Sequence, residues 1–259
     1  MSEIRLGVQV RPQHADYPAM RRAWLEAEQL GADTVFTWDH FFPLSGDPNG
    51  RHLECLTLLA AMAETTERAR IGALVMCNSY RNPQYAATAF GTIDQISGGR
   101  LIVGIGSGWF QRDYDEYGYE FGTAGSRLRA LARDLPLLKA RLGKLNPAPL
   151  GDMPILIGGQ GERVTLRIVA EQADMWHGFG DADRFRQKDE VLRRHCADVG
   201  RDPDEIERTW GVPGGEVEHA EQLHAAGVDL LTVSVDADGS DYDMAPVRRL
   251  VEWRDRQRG

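Results

Sequence analysis

The chain alternates between short apolar runs and longer stretches in which apolar residues recur every three or four positions. Apolar runs with few polar positions are typical of strands buried on both faces, as in a parallel sheet. The longer stretches are typical of amphipathic helices. The pattern predicts eight strands, at residues 4–10, 34–40, 71–77, 101–107, 154–158, 175–179, 207–212 and 230–235. It predicts eight helices, at residues 17–30, 55–63, 85–96, 126–142, 163–172, 185–199, 217–226 and 247–256.

The order of these elements predicts the fold class. Eight strands that alternate with helices, mostly through short connections, indicate an α/β protein with a (β/α)8 TIM barrel. An open doubly wound sheet is the alternative, although it seldom needs eight strand–helix units. A length of 259 residues suits a single barrel domain over residues 1–259. The strand at 207–212 has the weakest pattern, and Pro136 should kink or divide the helix at 126–142.

Composition narrows the class of partner. The formal net charge of −9 argues against nucleic acid and against an anionic membrane surface. The amino terminus lacks the apolar segment of a signal peptide, and no apolar run approaches the roughly 18 residues that span a membrane. Cys55, Cys77 and Cys196 lack any Cys-x-x-Cys spacing, so we expect neither a disulfide framework nor a metal site. The expectation is a cytoplasmic protein that acts on a small molecule.

In a barrel, functional residues lie at the carboxyl ends of the strands. The strand at 101–107 ends in Gly106, Ser107 and Gly108, and glycines allow a flat or phosphorylated ligand to approach the main chain. Trp109 follows at the position where a dinucleotide fingerprint would have its third glycine, so a Rossmann site is disfavoured. We assign Trp109 to a substrate pocket, together with Phe41 and His177 at two other strand ends. The alternative is a glycine-rich turn with aromatic residues in the core.

The strand at 154–158 leads into a second glycine-rich segment. Three glycines precede a predicted helix with Arg163 in its first turn. Backbone N–H groups and the helix dipole at such a position can hold a phosphate, and Arg163 would add positive charge. The candidate anion-binding residues are Gly158, Gly159, Gln160, Gly161, Glu162 and Arg163. The alternative is a tight turn that binds nothing.

Asp39 and His40 are the strongest titratable pair in the sequence. A carboxylate beside an imidazole can steer its tautomer, which suits proton transfer near neutral pH. Adjacent strand residues face opposite sides, so a twist or bulge would be needed to direct both side chains into the barrel mouth. The alternative is a surface histidine and a loop-capping aspartate. Cys77 is expected to be a small buried residue and not a nucleophile.

Several motifs together resemble the bacterial luciferase-like flavin and deazaflavin oxidoreductases, and within them the branch that uses coenzyme F-420 (F420). The resemblance covers nearly the whole chain. The motifs that carry it are Trp38-Asp39-His40-Phe41, Ser79-Tyr80-Arg81-Asn82-Pro83, Ser97-Gly98-Gly99-Arg100, Gly104-Ile105-Gly106-Ser107-Gly108-Trp109 and Ile157-Gly158-Gly159-Gln160-Gly161-Glu162.

The resemblance implies a barrel whose mouth holds the ring system of F420. By this likeness Asp39 would contact the ring and His40 would handle the proton. A non-proline cis peptide would fall near Leu74-Val75, behind the ring, and Cys77 would touch the ring. Gly106, Ser107 and Gly108 would line the ribityl side, and residues 158–162 would hold the phosphate. The resemblance also suggests a homodimer.

One residue departs from the sugar-phosphate dehydrogenases of this branch. They have a catalytic glutamate after the fourth-strand glycines, where this chain has Trp109. We therefore expect a less polar substrate, with a carbonyl or an activated alkene, that exchanges a hydride with F420 while His40 handles the proton. One alternative is an FMN-dependent monooxygenase of the same superfamily. Another is a barrel that binds flavin without catalysing a reaction.

Overall fold

The computed structural model describes residues 3–239 and 241–258. Within them, parallel strands form a closed sheet in the order β3-β2-β1-β9-β8-β7-β6-β5-β4, and β5 pairs with both β3 and β4. The strands are β1 (Arg5–Val10), β2 (Thr34–Thr37), β3 (Arg70–Ala73), β4 (Met76–Cys77), β5 (Leu101–Gly106), β6 (Ile155–Gly158), β7 (Met175–Phe179), β8 (Glu207–Gly211) and β9 (Leu230–Val235). Because β3 and β4 share one position in the barrel, the nine strands of the described residues occupy eight strand positions. The predicted (β/α)8 fold is confirmed.

Helices surround this barrel. They are α1 (Tyr17–Gln29), α2 (Cys55–Thr65), α3 (Pro83–Ser97), α4 (Gln111–Tyr117), α5 (Ala124–Leu142), α6 (Thr165–Gln172), α7 (Ala182–Val199), α8 (Val217–Ala225) and α9 (Ala245–Arg258). The predicted helices are all present, and α4 is an addition that the sequence pattern did not predict. Each helix of the described residues is too short or too polar to cross a bilayer.

Two helix predictions were wrong in detail. Pro136 does not divide the predicted helix, because α5 continues through it from Ala124 to Leu142. The buried side chains of Leu131, Leu135 and Leu138 lie on both sides of the proline, and their packing stabilises one continuous helix. The helix predicted from residue 163 begins at Thr165 instead. Val164 has φ −123° and ψ −52°, so it lies outside helical geometry.

The third strand position is divided between β3 and β4. The Leu74-Val75 peptide between them is cis, as the family resemblance implied. Apolar side chains fill the barrel interior below this level, and Leu74 and Val75 pack against them. The members of this layer are Phe36, Ile102, Leu156, Met175 and Leu230. Among the described residues, this layer fills the centre of the barrel next to the Leu74-Val75 peptide.

Candidate active site

A cavity of about 480 Å³ opens at the carboxyl ends of the strands. This volume lies within the range of about 300–1,000 Å³ that is usual for small-molecule sites. A large part of its wall is main chain, because five wall residues have no side chain: Gly106, Gly108, Gly158, Gly159 and Gly211. Such a wall can accommodate a broad, flat ligand at close range.

The glycines are required by the packing behind the wall. A Cβ atom on Gly158 would lie 3.0 Å from Cγ1 of Val75, and one on Gly106 would lie 2.8 Å from Cγ2 of the same residue. Gly108 has a φ of +79°, and its Cβ would lie 2.5 Å from the sulfur of Cys77. The predicted cofactor residues Leu74, Val75, Cys77, Ser107 and these three glycines all line the cavity.

Gln9 connects two sides of the cavity and was not identified from the sequence. Its Nε2 donates to the Leu74 carbonyl oxygen at 2.7 Å. Its Oε1 accepts from the Ser234 hydroxyl at 2.8 Å. These two bonds fix the orientation of the amide and hold β1, β9 and the segment after β3 together. The sequence signal was a glutamine inside an otherwise apolar strand.

Asp39 lies on the cavity wall, but its carboxylate is already fully engaged. Arg81 donates to both of its oxygens, at 2.6 and 2.9 Å, and the Cys77 backbone N–H donates to Oδ2 at 2.9 Å. Burial alone would lower the pKa of Arg81, but its bonds and attraction to Asp39 raise it, so the guanidinium stays charged. Asp39 therefore anchors the end of β4 to the Arg81 segment.

The predicted pairing of Asp39 with His40 is wrong. His40 instead bonds through Nδ1 to Oδ2 of Asp113, at 2.7 Å. Successive residues after β2 point in opposite directions, so the two side chains meet different partners. Asp113 belongs to α4 and is 0% exposed. The only sequence signal for it was a carboxylate shortly after the fourth-strand glycines.

Asp113 accepts two further hydrogen bonds. The Tyr80 hydroxyl donates to Oδ2 at 2.8 Å, and the backbone N–H of Phe41 donates to Oδ1 at 3.0 Å. Burial, together with the nearby Cys77 and Asp113, raises the pKa of Tyr80, which keeps its hydroxyl protonated as a donor. The carboxylate is thus surrounded by donors on both oxygens.

Aromatic rings enclose the His40 imidazole. Trp38, Trp109 and Phe110 approach it edge-on, with ring centroids 5.5–5.8 Å away. Trp109, which the sequence assigns to a substrate pocket, lines the cavity and is 63% exposed, so it lies at the mouth. Phe179 is 64% exposed and also lines the cavity. Two exposed aromatic rings therefore lie at the rim of the cavity.

Phe41 does not line the cavity, contrary to its assignment to the substrate pocket. Its ring stacks on Tyr117, with ring centroids 4.0 Å apart, and packs against Tyr80, with centroids 4.8 Å apart. Tyr119 extends the same cluster. The backbone N–H of Phe41 is held by Asp113 of α4, and its side chain belongs to this aromatic cluster.

His177, the third residue that the sequence assigns to a substrate pocket, lines the cavity from β7. Its Nδ1 lies 2.9 Å from the Thr209 hydroxyl oxygen, and that hydroxyl donates to the Trp176 carbonyl at 3.1 Å. Since the Thr209 hydroxyl already donates its proton to Trp176, it can only accept from His177. Nδ1 of His177 therefore carries the ring proton, and Nε2 is an acceptor. Burial lowers the pKa of His177 to about 4, so the ring is neutral at physiological pH.

Cys77 has the environment of a packing residue. Its sulfur lies 3.1 Å from the Tyr114 hydroxyl, and the residue is buried. Burial raises the pKa of the thiol, which disfavours the nucleophilic thiolate. Nowhere in residues 3–239 and 241–258 do three or more His, Cys, Asp or Glu side chains come together as a metal site would require.

The predicted anion-binding segment is only partly at the cavity. Gly158 and Gly159 line it, and the N–H of Gly159 is used by the His177 carbonyl at 3.0 Å. The other four residues are not on the cavity wall. Gln160 bonds to the Phe179 carbonyl and to Arg184, Glu162 pairs with Lys188, and Gly161 and Arg163 are exposed. Thr165, at the start of α6, lines the cavity in their place.

Comparison with known proteins gives relatives of this chain. A dehydrogenase from Rhodococcus erythropolis, named F420-dependent glucose-6-phosphate dehydrogenase, is 30% identical over 66% of this chain and 56% of its own length. One of the same name from Amycolatopsis mediterranei is 34% identical over 44% of this chain and 34% of its own length. The chain thus aligns with about half or less of these relatives.

Solved structures share the fold. An F420-dependent secondary alcohol dehydrogenase, in complex with an F420-acetone adduct, superposes with a TM-score of 0.84 at 14% identity, over 97% of this chain and 98% of that one. The coenzyme F420-dependent tetrahydromethanopterin reductase of Methanopyrus kandleri superposes with a TM-score of 0.76 at 16% identity, over 97% of this chain and 98% of that one. A family model described as luciferase-like monooxygenase matches residues 2–214. This chain belongs to the luciferase-like family.

Proposed function

We propose that this protein is an F420-dependent oxidoreductase that transfers a hydride between the coenzyme and a small organic substrate. The observation that carries the proposal is the cavity itself, in which a glycine-rich wall faces an imidazole held by a buried carboxylate. The relatives named F420-dependent dehydrogenases support the choice of coenzyme.

The wall residues fit a planar heterocycle. Side chains on Gly106 or Gly158 would collide with Val75, so the main chain stays open to a ligand at these positions. Gly106, Ser107, Gly108, Gly158 and Gly159 would hold the coenzyme, with Val75 and Cys77 behind it. Bound F420 supplies a carbon centre, C5, that accepts or releases the hydride.

His40 handles the proton that accompanies the hydride. Its Nδ1 is engaged by Asp113, so Nε2 is the nitrogen available to a substrate oxygen. Trp38, Trp109 and Phe110 hold the ring plane and keep water from one side of it. Asp39 has a structural role, because Arg81 and the backbone N–H of Cys77 already donate hydrogen bonds to its oxygens.

The substrate is small and weakly polar, with a carbonyl, an alcohol or an activated alkene as the reacting group. Among the described residues of the cavity wall, Arg11 is the only Lys or Arg, and it pairs with Asp236 at 2.8 Å. Trp109 stands where the resemblance to sugar-phosphate dehydrogenases leads one to expect a glutamate. A phosphorylated sugar would therefore find neither a free cation nor that carboxylate.

Titration of purified protein with F420 and with FMN tests the proposal. We expect F420 fluorescence to change on binding, with a lower Kd than for FMN. Reduced F420 should be oxidised by small ketones or activated alkenes, and glucose 6-phosphate should not reduce the oxidised coenzyme. Tight binding of FMN with oxygen consumption would instead support a monooxygenase. Binding without turnover of any carbonyl or alcohol would support a flavin-binding barrel.

We further propose that the protein acts in the cytoplasm as a homodimer, with no nucleic-acid or membrane partner. Its three cysteines are buried and unpaired, which is common in reducing compartments. The dimer is supported by the family likeness. Light scattering coupled to size exclusion should give twice the chain mass of 28.9 kDa, and a single chain mass would contradict the dimer.

A further inference from the structure

We propose that Asp113 is a positioning residue that fixes His40 in the tautomer whose Nε2 is free to exchange a proton with substrate. The inference rests on the proposed function, since His40 is its proton-handling group. Asp113 lies in the first turn of α4, 73 residues from His40 in the chain. Neither α4 nor this carboxylate was identified as part of the site from the sequence.

The hydrogen bonds around Asp113 indicate an ionised carboxylate. Oδ2 accepts from Tyr80, and Oδ1 accepts from the Phe41 backbone N–H. With donors already on both oxygens, the third bond, to Nδ1 of His40, is best matched by an N–H donor on the imidazole. Within the described residues no Lys or Arg forms an ion pair with Asp113, so His40 is its only potentially cationic partner.

This arrangement determines which nitrogen reacts. A neutral imidazole carries one proton, and Asp113 holds that proton on Nδ1, so the lone pair lies on Nε2. The ring cannot easily rotate to present Nδ1 to the cavity, because Trp38, Trp109 and Phe110 pack around its edge. Nε2 is thus the base when an alcohol is oxidised.

The proton and hydride balance in that step is as follows. The substrate O–H bond breaks and its proton goes to Nε2, while the carbon-bound hydride leaves for oxidised F420. The substrate loses two electrons with the hydride and becomes a carbonyl compound, and F420 held at the glycine-rich wall would supply the acceptor for that hydride. In the reverse direction, the imidazolium returns its Nε2 proton to the oxygen as the hydride arrives at the carbonyl carbon. Asp113 stabilises the imidazolium in both directions.

Asp113→Asn tests this role, because the side-chain amide can donate to Nδ1 and stabilise the opposite tautomer. We expect kcat to fall about 10²- to 10⁴-fold, as for general acid–base groups in the wrong tautomer. KM and the Kd for F420 should stay within about threefold, a change of under 1 kcal/mol. In ¹⁵N NMR of histidine-labelled protein, neutral His40 should change from the Nδ1-H form to the Nε2-H form.

Two comparisons separate positioning from general stabilisation. Asp134→Asn removes another buried carboxylate, one that bonds Asn78 outside the cavity, and should leave kcat unchanged. In a His40→Ala background, Asp113→Asn should cause no further loss beyond about twofold, because both residues act through one imidazole. If the loss of kcat from Asp113→Asn instead multiplied the loss from His40→Ala, Asp113 would have a structural role independent of His40.

The inference fails if Asp113→Asn keeps wild-type kcat, or if His40 keeps its Nδ1-H tautomer in the variant. The NMR comparison needs no coenzyme and no substrate. A protein that binds no F420 would therefore overturn the proposed function, while the tautomer would still decide whether Asp113 fixes His40.

Discussion

Two half-buried imidazoles near the cavity are held neutral. Burial lowers the pKa of His177 to about 4. Burial and the neighbouring His40 lower the pKa of His52 to about 4, and His52 uses its Nε2 to accept from the Trp38 indole at 3.0 Å. The rings of His52 and His177 therefore serve as fixed acceptors near neutral pH. His40, with its carboxylate partner, is the imidazole to which we assign the proton exchange.

These lowered pKa values predict acid sensitivity. A histidine that titrates at about 4 in the folded state and near 6.5 when unfolded costs stability as pH falls between those values, because the unfolded chain takes up the proton first. Unfolding in urea at pH 7.5 and 4.5 should show a drop in free energy that is smaller, by about 1–2 kcal/mol, in His177→Gln. His224→Gln, on α8 away from the cavity, is the control. Equal drops in wild type and His177→Gln would contradict the assignment.

The sequence identified individual cavity residues better than it identified their hydrogen-bond partners. His40, Asp39, Trp109 and His177 were all singled out, and all line the cavity. The carboxylate partner of His40 was missed because it is supplied by a short helix far along the chain, and only tertiary packing brings the two together.

The Ser97-Gly98-Gly99-Arg100 segment shows what a diagnostic motif does within the fold. Gly98 and Gly99 have φ of +68° and +88° and end α3. The Arg100 guanidinium then reaches across to the end of α2, where its Nη2 donates to the carbonyls of Ala63 and Thr66 at 3.0 and 2.7 Å. This motif joins two strand–helix units and has no contact with the cavity.

We expect Arg100→Lys to destabilise the protein without altering the site. A lysine cannot reproduce the planar set of bonds, which also includes Nη1 to the Ala69 carbonyl at 2.7 Å. The loss should be about 2–3 kcal/mol in urea unfolding, as for hydrogen bonds to charged groups. The Kd for F420 measured on folded protein should not change. Arg129→Lys, at an exposed position of α5, should stay within about 0.5 kcal/mol of wild type.

Element positions followed from periodicity, and their ends often did not. The eight strand positions were predicted because strands buried on both faces are nearly continuous apolar runs. Helix α4 was missed because Gln111–Tyr117 has too few residues to show a clear period. The start of α6 at Thr165 depends on the conformation of Val164, which no residue pattern indicated.

At the scale of the whole molecule, the cavity depends on barrel closure. The β1–β9 pair closes the barrel over six residues from Arg5 to Val10, and Gln9 and Ser234 meet across this pair. The protein should therefore bind its ligand only when the whole barrel is folded. The glycine-rich strand ends suggested a flat ligand, whereas the preference for F420 over FMN rested on the family resemblance, because both coenzymes would present a flat ring to such a wall.

Ligand binding should raise the melting temperature. At a concentration of about 100 times Kd, F420 should add roughly 2.7 kcal/mol to the free energy of unfolding. For a domain of this size that corresponds to an increase in Tm of about 5–10 °C. Differential scanning calorimetry with F420, and with FMN at equal concentration, measures it. A larger increase with FMN would contradict the proposed coenzyme.

The crowded glycines also limit how this scaffold can change its selectivity. A methyl group on Gly106 would run into Val75, and one on Gly108 would run into the Tyr114 hydroxyl. Evolution or laboratory engineering therefore cannot narrow the pocket from that side without rebuilding its backing. Trp109 and Phe179 are both exposed at the rim, but Trp109 also packs against His40. New substrate preferences should therefore arise first by replacing Phe179.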